Sequence, residues 1–215
     1  MYDGKTIWFI VRGIAGHPSD LLEWEYAIRD DIIRQTQLHA IAISYATNFL
    51  TVWDRRAWRG RRFGDILAKY AADGWRINII SHSEGAVVAT DAMRSARFPR
   101  VETLHLVCGA CDANFERNGL NEALRINRLG VAHVWIAGRD FAMLWERLFF
   151  GKLLFGLSDR AEPLGYDGPR AADRRVAARI LVHRTAPWDR YGHSECWDAG
   201  NRERTLQSFL DLSPD

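Results

Sequence analysis

Cysteine is scarce: Cys108, Cys111 and Cys196 are the whole set in 215 residues. An odd, small number argues against a disulfide framework and fits a reducing compartment. Cys108-Gly109-Ala110-Cys111 has the spacing of a metal or redox pair, but no second pair completes a zinc site and the motif does not open the first helix. It reads as a strand end with buried thiols, and neither metal nor cofactor is expected. Charge of one sign is also missing. Lys and Arg number 29 against 27 Asp and Glu, a formal net charge of +2, so nothing advertises a nucleic-acid partner. No apolar run is long enough to span a bilayer. Met1 to Lys5 leads straight into a strand-like segment without the basic, apolar and small-residue sections of a secretory signal, and the expectation is a cytoplasmic protein. Linkers, repeats and low-complexity segments are absent as well. With 47% hydrophobic and 12% aromatic content, residues 1–215 are expected to form a single domain around one sizeable core.

What is present is an alternation of strand-like and helix-like segments. Thr6 to Val11 is a continuous β-branched and aromatic run that enters a glycine-rich turn, the pattern of a buried strand. His39 to Tyr45, Trp75 to Ile80, Thr103 to Val107, Val131 to Ala137 and Ala178 to His183 read as further strands. Between them, Asp20 to Gln35, Phe63 to Ala72, Ala86 to Arg97 and Leu120 to Ile126 have helical spacing. The expected fold is α/β, a mainly parallel sheet of about six strands with helices on both faces and right-handed crossovers. One cluster breaks the even charge: Arg55, Arg56, Arg59, Arg61 and Arg62, interleaved with Trp53, Trp58 and Phe63. It reads first as a helix start whose arginine stems cover apolar surface, and second as a site for phosphate or carboxylate.

Ser81-His82-Ser83-Glu84-Gly85 lies between the apolar run ending at Ile80 and the helical run starting at Ala86. A strand that turns sharply through a serine into a helix is the shape of a nucleophile elbow. A serine hydroxyl needs a base to take its proton and N–H donors to hold the charge it creates. In parallel sheets such groups gather in loops at the carboxyl ends of strands, where Ser83, Asp140 and His193 all lie. Asp112 also follows a strand and is the competing acid. A serine before an apolar helix is also a common N-cap, and a lone histidine is more often structural. His82 flanks the serine and is expected to pack against the elbow.

The order serine, acid, histidine, with an early glycine turn at Val11-Arg12-Gly13-Ile14-Ala15-Gly16, resembles the α/β-hydrolase superfamily from Ile7 to Leu210. Gly138-Arg139-Asp140, Pro163 to Gly168 and Tyr191-Gly192-His193-Ser194 are similar to later segments of small, lipase-type serine esterases. Two positions depart from the pattern: Ser81 stands where the elbow has glycine, and Arg12 where many members have histidine. The resemblance implies Ser83 as nucleophile, His193 as general base and acid, and Asp140 as the carboxylate on the imidazole. It implies an oxyanion hole from the backbone N–H groups of Glu84 and Ile14. The implied function is hydrolysis of a carboxylic ester, with a lipid ester or thioester among the candidates. The alternative is a non-catalytic member of the fold that binds a ligand or a protein. Arg12, Trp145 and Trp188 are candidates for the substrate pocket.

Phe141 to Leu157 is densely apolar and follows the expected acid. Its spacing favours an ordinary buried helix, while a lid or cap over residues 141–170, with peripheral membrane contact through 141–157, is the second reading. Arg160 to Gly168 reads as an exposed loop. A small-molecule or lipid acyl substrate is the expected partner. Oligomeric state is not legible.

Overall fold

A computed structural model describes residues 5–13, 24–44, 56–95, 97–141, 144, 163–170 and 172–213. Its strands are β1 (Thr6–Val11), β2 (His39–Ile43), β3 (Arg76–His82), β4 (Val101–Val107), β5 (Leu129–Trp135) and β6 (Ile180–His183). The helices are α1 (Trp24–Thr36), α2 (Arg56–Ala72), α3 (Glu84–Met93), α4 (Leu120–Arg125), the single turn α5 (Leu164–Asp167) and α6 (Ala199–Leu210). The six strands form one sheet in the order β2-β1-β3-β4-β5-β6, with every neighbouring pair parallel.

All six residues of β1 are buried, and its alternate side chains feed two cores. Ile7, Phe9 and Val11 join Phe63 and Leu67 of α2 and Ala86, Val88 and Ala89 of α3 on one face. Trp8 and Ile10 join Ile28 and Ile32 of α1 and Leu206 and Phe209 of α6 on the other. A strand covered on both sides has no polar face to show, hence the unbroken apolar run. Each such large side chain stabilises the fold by about 1.5–3 kcal/mol on burial.

The sheet turns outward in opposite directions from β1 and β3, since β2 lies beside β1 while β4, β5 and β6 extend beyond β3. This switch point opens a crevice beyond the strand ends. Val11 pairs with Ser81, so the turn after β1 faces the turn after β3.

The arginine cluster is a helix start: α2 begins at Arg56, Arg59 is buried, and the Arg62 guanidinium lies 5.5 Å from the Trp58 ring centroid. Two differences from the sequence reading matter. Residues 163–168 form no exposed loop. Pro163, Leu164 and Gly165 are buried, with the Leu164 and Gly165 N–H groups donating to Cys111 and Gly109 carbonyls at 2.8 Å each. Leu164 packs into the first core, an apolar contact that a window rich in turn residues hides. The helix α6, unannounced by its mostly polar sequence, closes the second core with Leu206 and Phe209.

Candidate active site

β3 runs through His82, and Ser83 then takes φ 53° and ψ −124° before α3 begins at Glu84. A non-glycine residue there is strained by about 1–3 kcal/mol, and the surroundings must hold it. They do so through the backbone. Ser83 N–H donates to the Val107 carbonyl at 3.0 Å, and the Ser83 carbonyl accepts from Ala86 and Ala110 N–H groups, both at 3.0 Å. The side chain is thereby thrown out of the strand at the head of a helix.

Two glycines allow the approach. A Cβ on Gly13 would lie 2.7 Å from Ser83 Cβ and 3.1 Å from the Glu84 nitrogen. One on Gly85 would lie 2.2 Å from the Val11 carbonyl oxygen. The turn after β1 therefore lies directly against the elbow, with the Glu84 amide at the seam and the positive end of α3 behind it. Ile14 and Trp145 fall outside the described residues, as does most of the apolar segment after Asp140. Of that segment, Phe141 is exposed.

Asp140 and His193 come together. His193 Nδ1 lies 2.9 Å and 3.0 Å from the two oxygens of the buried Asp140 carboxylate. An ionised carboxylate only accepts, so Nδ1 carries the proton and Nε2 has the free lone pair. Nε2 makes no hydrogen bond among the described residues, and the side chain keeps 19% of its surface exposed. Two loops make this contact. Gly138 N–H donates to the Trp188 carbonyl and Arg139 N–H to the Tyr191 carbonyl, both at 2.9 Å, strapping the loop after β5 to the loop after β6. Gly138 is required, because a Cβ there would lie 2.1 Å from the Asp189 carbonyl oxygen.

Asp112 is engaged elsewhere. Its Oδ1 accepts the Asn114 N–H at 2.8 Å, and Oδ2 lies 3.7 Å from an Arg117 nitrogen. Ser83 Oγ has no hydrogen-bond partner among the described residues, so no hydrogen bond joins it to His193.

Arg12 donates from Nη1 to Glu25 Oε1 at 2.9 Å, tying the turn after β1 to α1. That partner is invisible in sequence. Trp188 packs in the second core against Trp135 and Tyr191. Its burial, with 4% of its surface exposed, comes from this core.

Ligand atoms of His82, Cys108 and His193 lie within 4.8 Å of one another, the one metal-capable set among the described residues. Burial, then Cys196 and Asp140, push the Cys108 thiol well above its ordinary range, and a protonated thiol is a poor ligand.

No protein-family model matches the chain, and no curated protein matches it in sequence. Solved structures do. An esterase from Pyrococcus furiosus is similar at TM-score 0.54 with 11% identity, over 99% of this chain and 84% of that one. An uncharacterized protein from Bacillus cereus reaches TM-score 0.57 with 14% identity, over 99% of this chain and 62% of that one. The chain has the α/β-hydrolase fold. β3, whose end carries Ser83, lies next to β1 inside that sheet. Among the described residues, no helix is long and apolar enough to cross a membrane.

Proposed function

We propose that the chain is a serine hydrolase that cleaves a carboxylic ester through an acyl-enzyme, with Ser83 as nucleophile, His193 as base and acid, and Asp140 as the carboxylate. The observation that carries this is the Asp140–His193 contact at 2.9 and 3.0 Å, formed between two distant loops and joined through His82, the residue before the strained Ser83, to the end of β3. A buried carboxylate aimed at one imidazole nitrogen leaves the other nitrogen basic and open, which is what a serine hydroxyl needs.

In this reading Ser83 Oγ attacks the carbonyl carbon as its proton passes to His193 Nε2. The oxyanion is held by the Glu84 N–H and by the Ile14 N–H. The tetrahedral intermediate collapses, Nε2 returns the proton to the leaving oxygen or sulfur, and the acyl group stays on Ser83. Water, deprotonated at Nε2, then attacks the ester and releases the acid and free serine. Small-molecule or lipid acyl groups are the proposed substrates, with the exposed Phe141 beside the acid as a first apolar contact.

The alternative, a non-catalytic binding module, leaves unexplained why φ 53° at Ser83 and a buried carboxylate are both maintained. A fluorophosphonate probe separates the two. Labelling of the wild type at Ser83, abolished in Ser83→Ala, is the expected result. Equal labelling of both proteins would remove the proposal.

A further inference from the structure

We infer that His82 is a positioning residue: its Nε2–H ties the main chain of His193 to the strand end that carries Ser83. The inference rests on the triad reading above and adds a part to it. His82 Nε2 lies 2.8 Å from the His193 carbonyl oxygen, a contact between residues 111 apart in sequence. A carbonyl oxygen can only accept, so Nε2 carries the proton and donates. The His193 carbonyl has no other partner among the described residues. Without His82, the polar contacts left at this point are the Asp140 carboxylate on the His193 ring and the Gly192 N–H bond to Glu195, and neither holds the His193 carbonyl.

The ring is oriented from three sides. Trp24 of α1 meets it edge-on at 5.5 Å and 80°, and Trp197, from the 3₁₀ turn Glu195–Trp197, at 5.7 Å and 88°. The two indoles stack on each other at 4.3 Å and 12°. The third side is the His193 ring, 4.8 Å away between centroids. This cage fixes the ring plane, and so the direction in which Nε2–H points.

Neutrality matters equally. Burial, then the neighbouring His193, lower the His82 pKa to about 3, with Arg12 adding a smaller push in the same direction. An uncharged ring neither competes for the serine proton nor repels the imidazolium that forms on His193. Because His82 directly precedes Ser83, the tether moves with the nucleophile, so nucleophile and base share one reference point even though β3 and the final loop are far apart in the chain.

The wild-type protein, labelled with ¹⁵N, gives the first test. Long-range ¹H–¹⁵N spectra are expected to report His82 as the neutral Nε2–H tautomer from about pH 5 to 8, well above its lowered titration. An Nδ1–H tautomer would overturn the tether, whatever the variants do. The second test compares His82→Phe, which keeps a ring in the cage without a donor, with His82→Gln, which keeps an amide donor. Using a p-nitrophenyl ester, His82→Phe is expected to lose on the order of tenfold or more in kcat with KM within about twofold. His82→Gln is expected to stay within about threefold of wild type. A wild-type kcat in His82→Phe, or an equal loss in both variants, refutes the inference. Ser83→Ala run alongside keeps the questions apart: if it retains activity, the triad reading fails, while the tautomer still reports the tether.

Discussion

Replacing Asp140 by asparagine removes one charge and almost no volume, so its effect is worked from electrostatics. Under the proposed mechanism, His193 becomes an imidazolium as Ser83 loses its proton, and its Nδ1 faces carboxylate oxygens at 2.9 and 3.0 Å. At about 3 Å and an effective dielectric of about 20, that attraction is roughly 5.5 kcal/mol. At about 1.36 kcal/mol per decade it corresponds to roughly 10⁴ in kcat. Solvent reaches the partly exposed ring and trims the figure, so a loss on the order of 10³ to 10⁴ is expected, with KM nearly unchanged. Asp112→Asn is the matched control. Its oxygen still accepts the Asn114 N–H, and its exposed partner Arg117 contributes little. Activity within about threefold of wild type is expected there. The assay is turnover of a short-chain p-nitrophenyl ester, with circular dichroism to verify folding. If Asp112→Asn is the inactive variant, or Asp140→Asn keeps more than about a tenth of the activity, the electrostatic argument is wrong.

Gly13→Ala drives a methyl group to 2.7 Å from Ser83 Cβ and 2.9 Å from the His82 carbonyl oxygen. Probe labelling is expected to fall at least about a hundredfold at a stability cost of about 1–3 kcal/mol; labelling at the wild-type rate would show that the two turns are not in contact. Histidines 105, 133 and 183 stack across β4, β5 and β6, with His133 Nδ1 3.1 Å from His183 Nε2. Burial first, then neighbouring histidines, lowers His133 to about 4 and His105 well below 6.5, and burial lowers His183. The unfolded chain therefore binds protons before the folded one does. The neutral stack contributes fully above about pH 6.5, and that stability is lost as pH falls toward 4, a change on the order of a few kcal/mol. Urea titrations at several pH values should give a smaller acid loss for His133→Phe than for wild type; parallel curves would rule out the stack as the cause.

The fold was most legible at β1, because a parallel strand covered on both faces has no polar alternation and Thr6–Val11 appears as a short apolar run. The elbow was legible because its residue types are local: a serine between a buried strand and an apolar helix. The choice between Asp140 and Asp112 was not local. Both follow strands, and the difference lies in backbone straps from Gly138 and Arg139 to residues some fifty positions later. The Glu25 partner of Arg12 and the tether from His82 were hidden for the same reason, since pairings between distant turns leave no periodicity. α6 leaves little trace in the sequence because a helix that buries one side against an already closed sheet needs few apolar residues, here Leu206 and Phe209.

This division between local and distant signals has a mechanical counterpart. Ser83, Glu84 and Gly13 are placed by the register of β1 against β3 and by hydrogen bonds to the end of β4, so they move only if the sheet moves. His193 is held by a carboxylate on one loop, one carbonyl contact from His82 and the Gly192 N–H to Glu195 Oε2 bond at 3.0 Å. A few side-chain bonds on a loop hold geometry far less firmly than a parallel ladder does. Substitutions that inactivate without unfolding should therefore concentrate around His193, at Asp140, His82 and Gly138, whereas those at Gly85 should unsettle the fold as well, because a Cβ there collides with β1 itself.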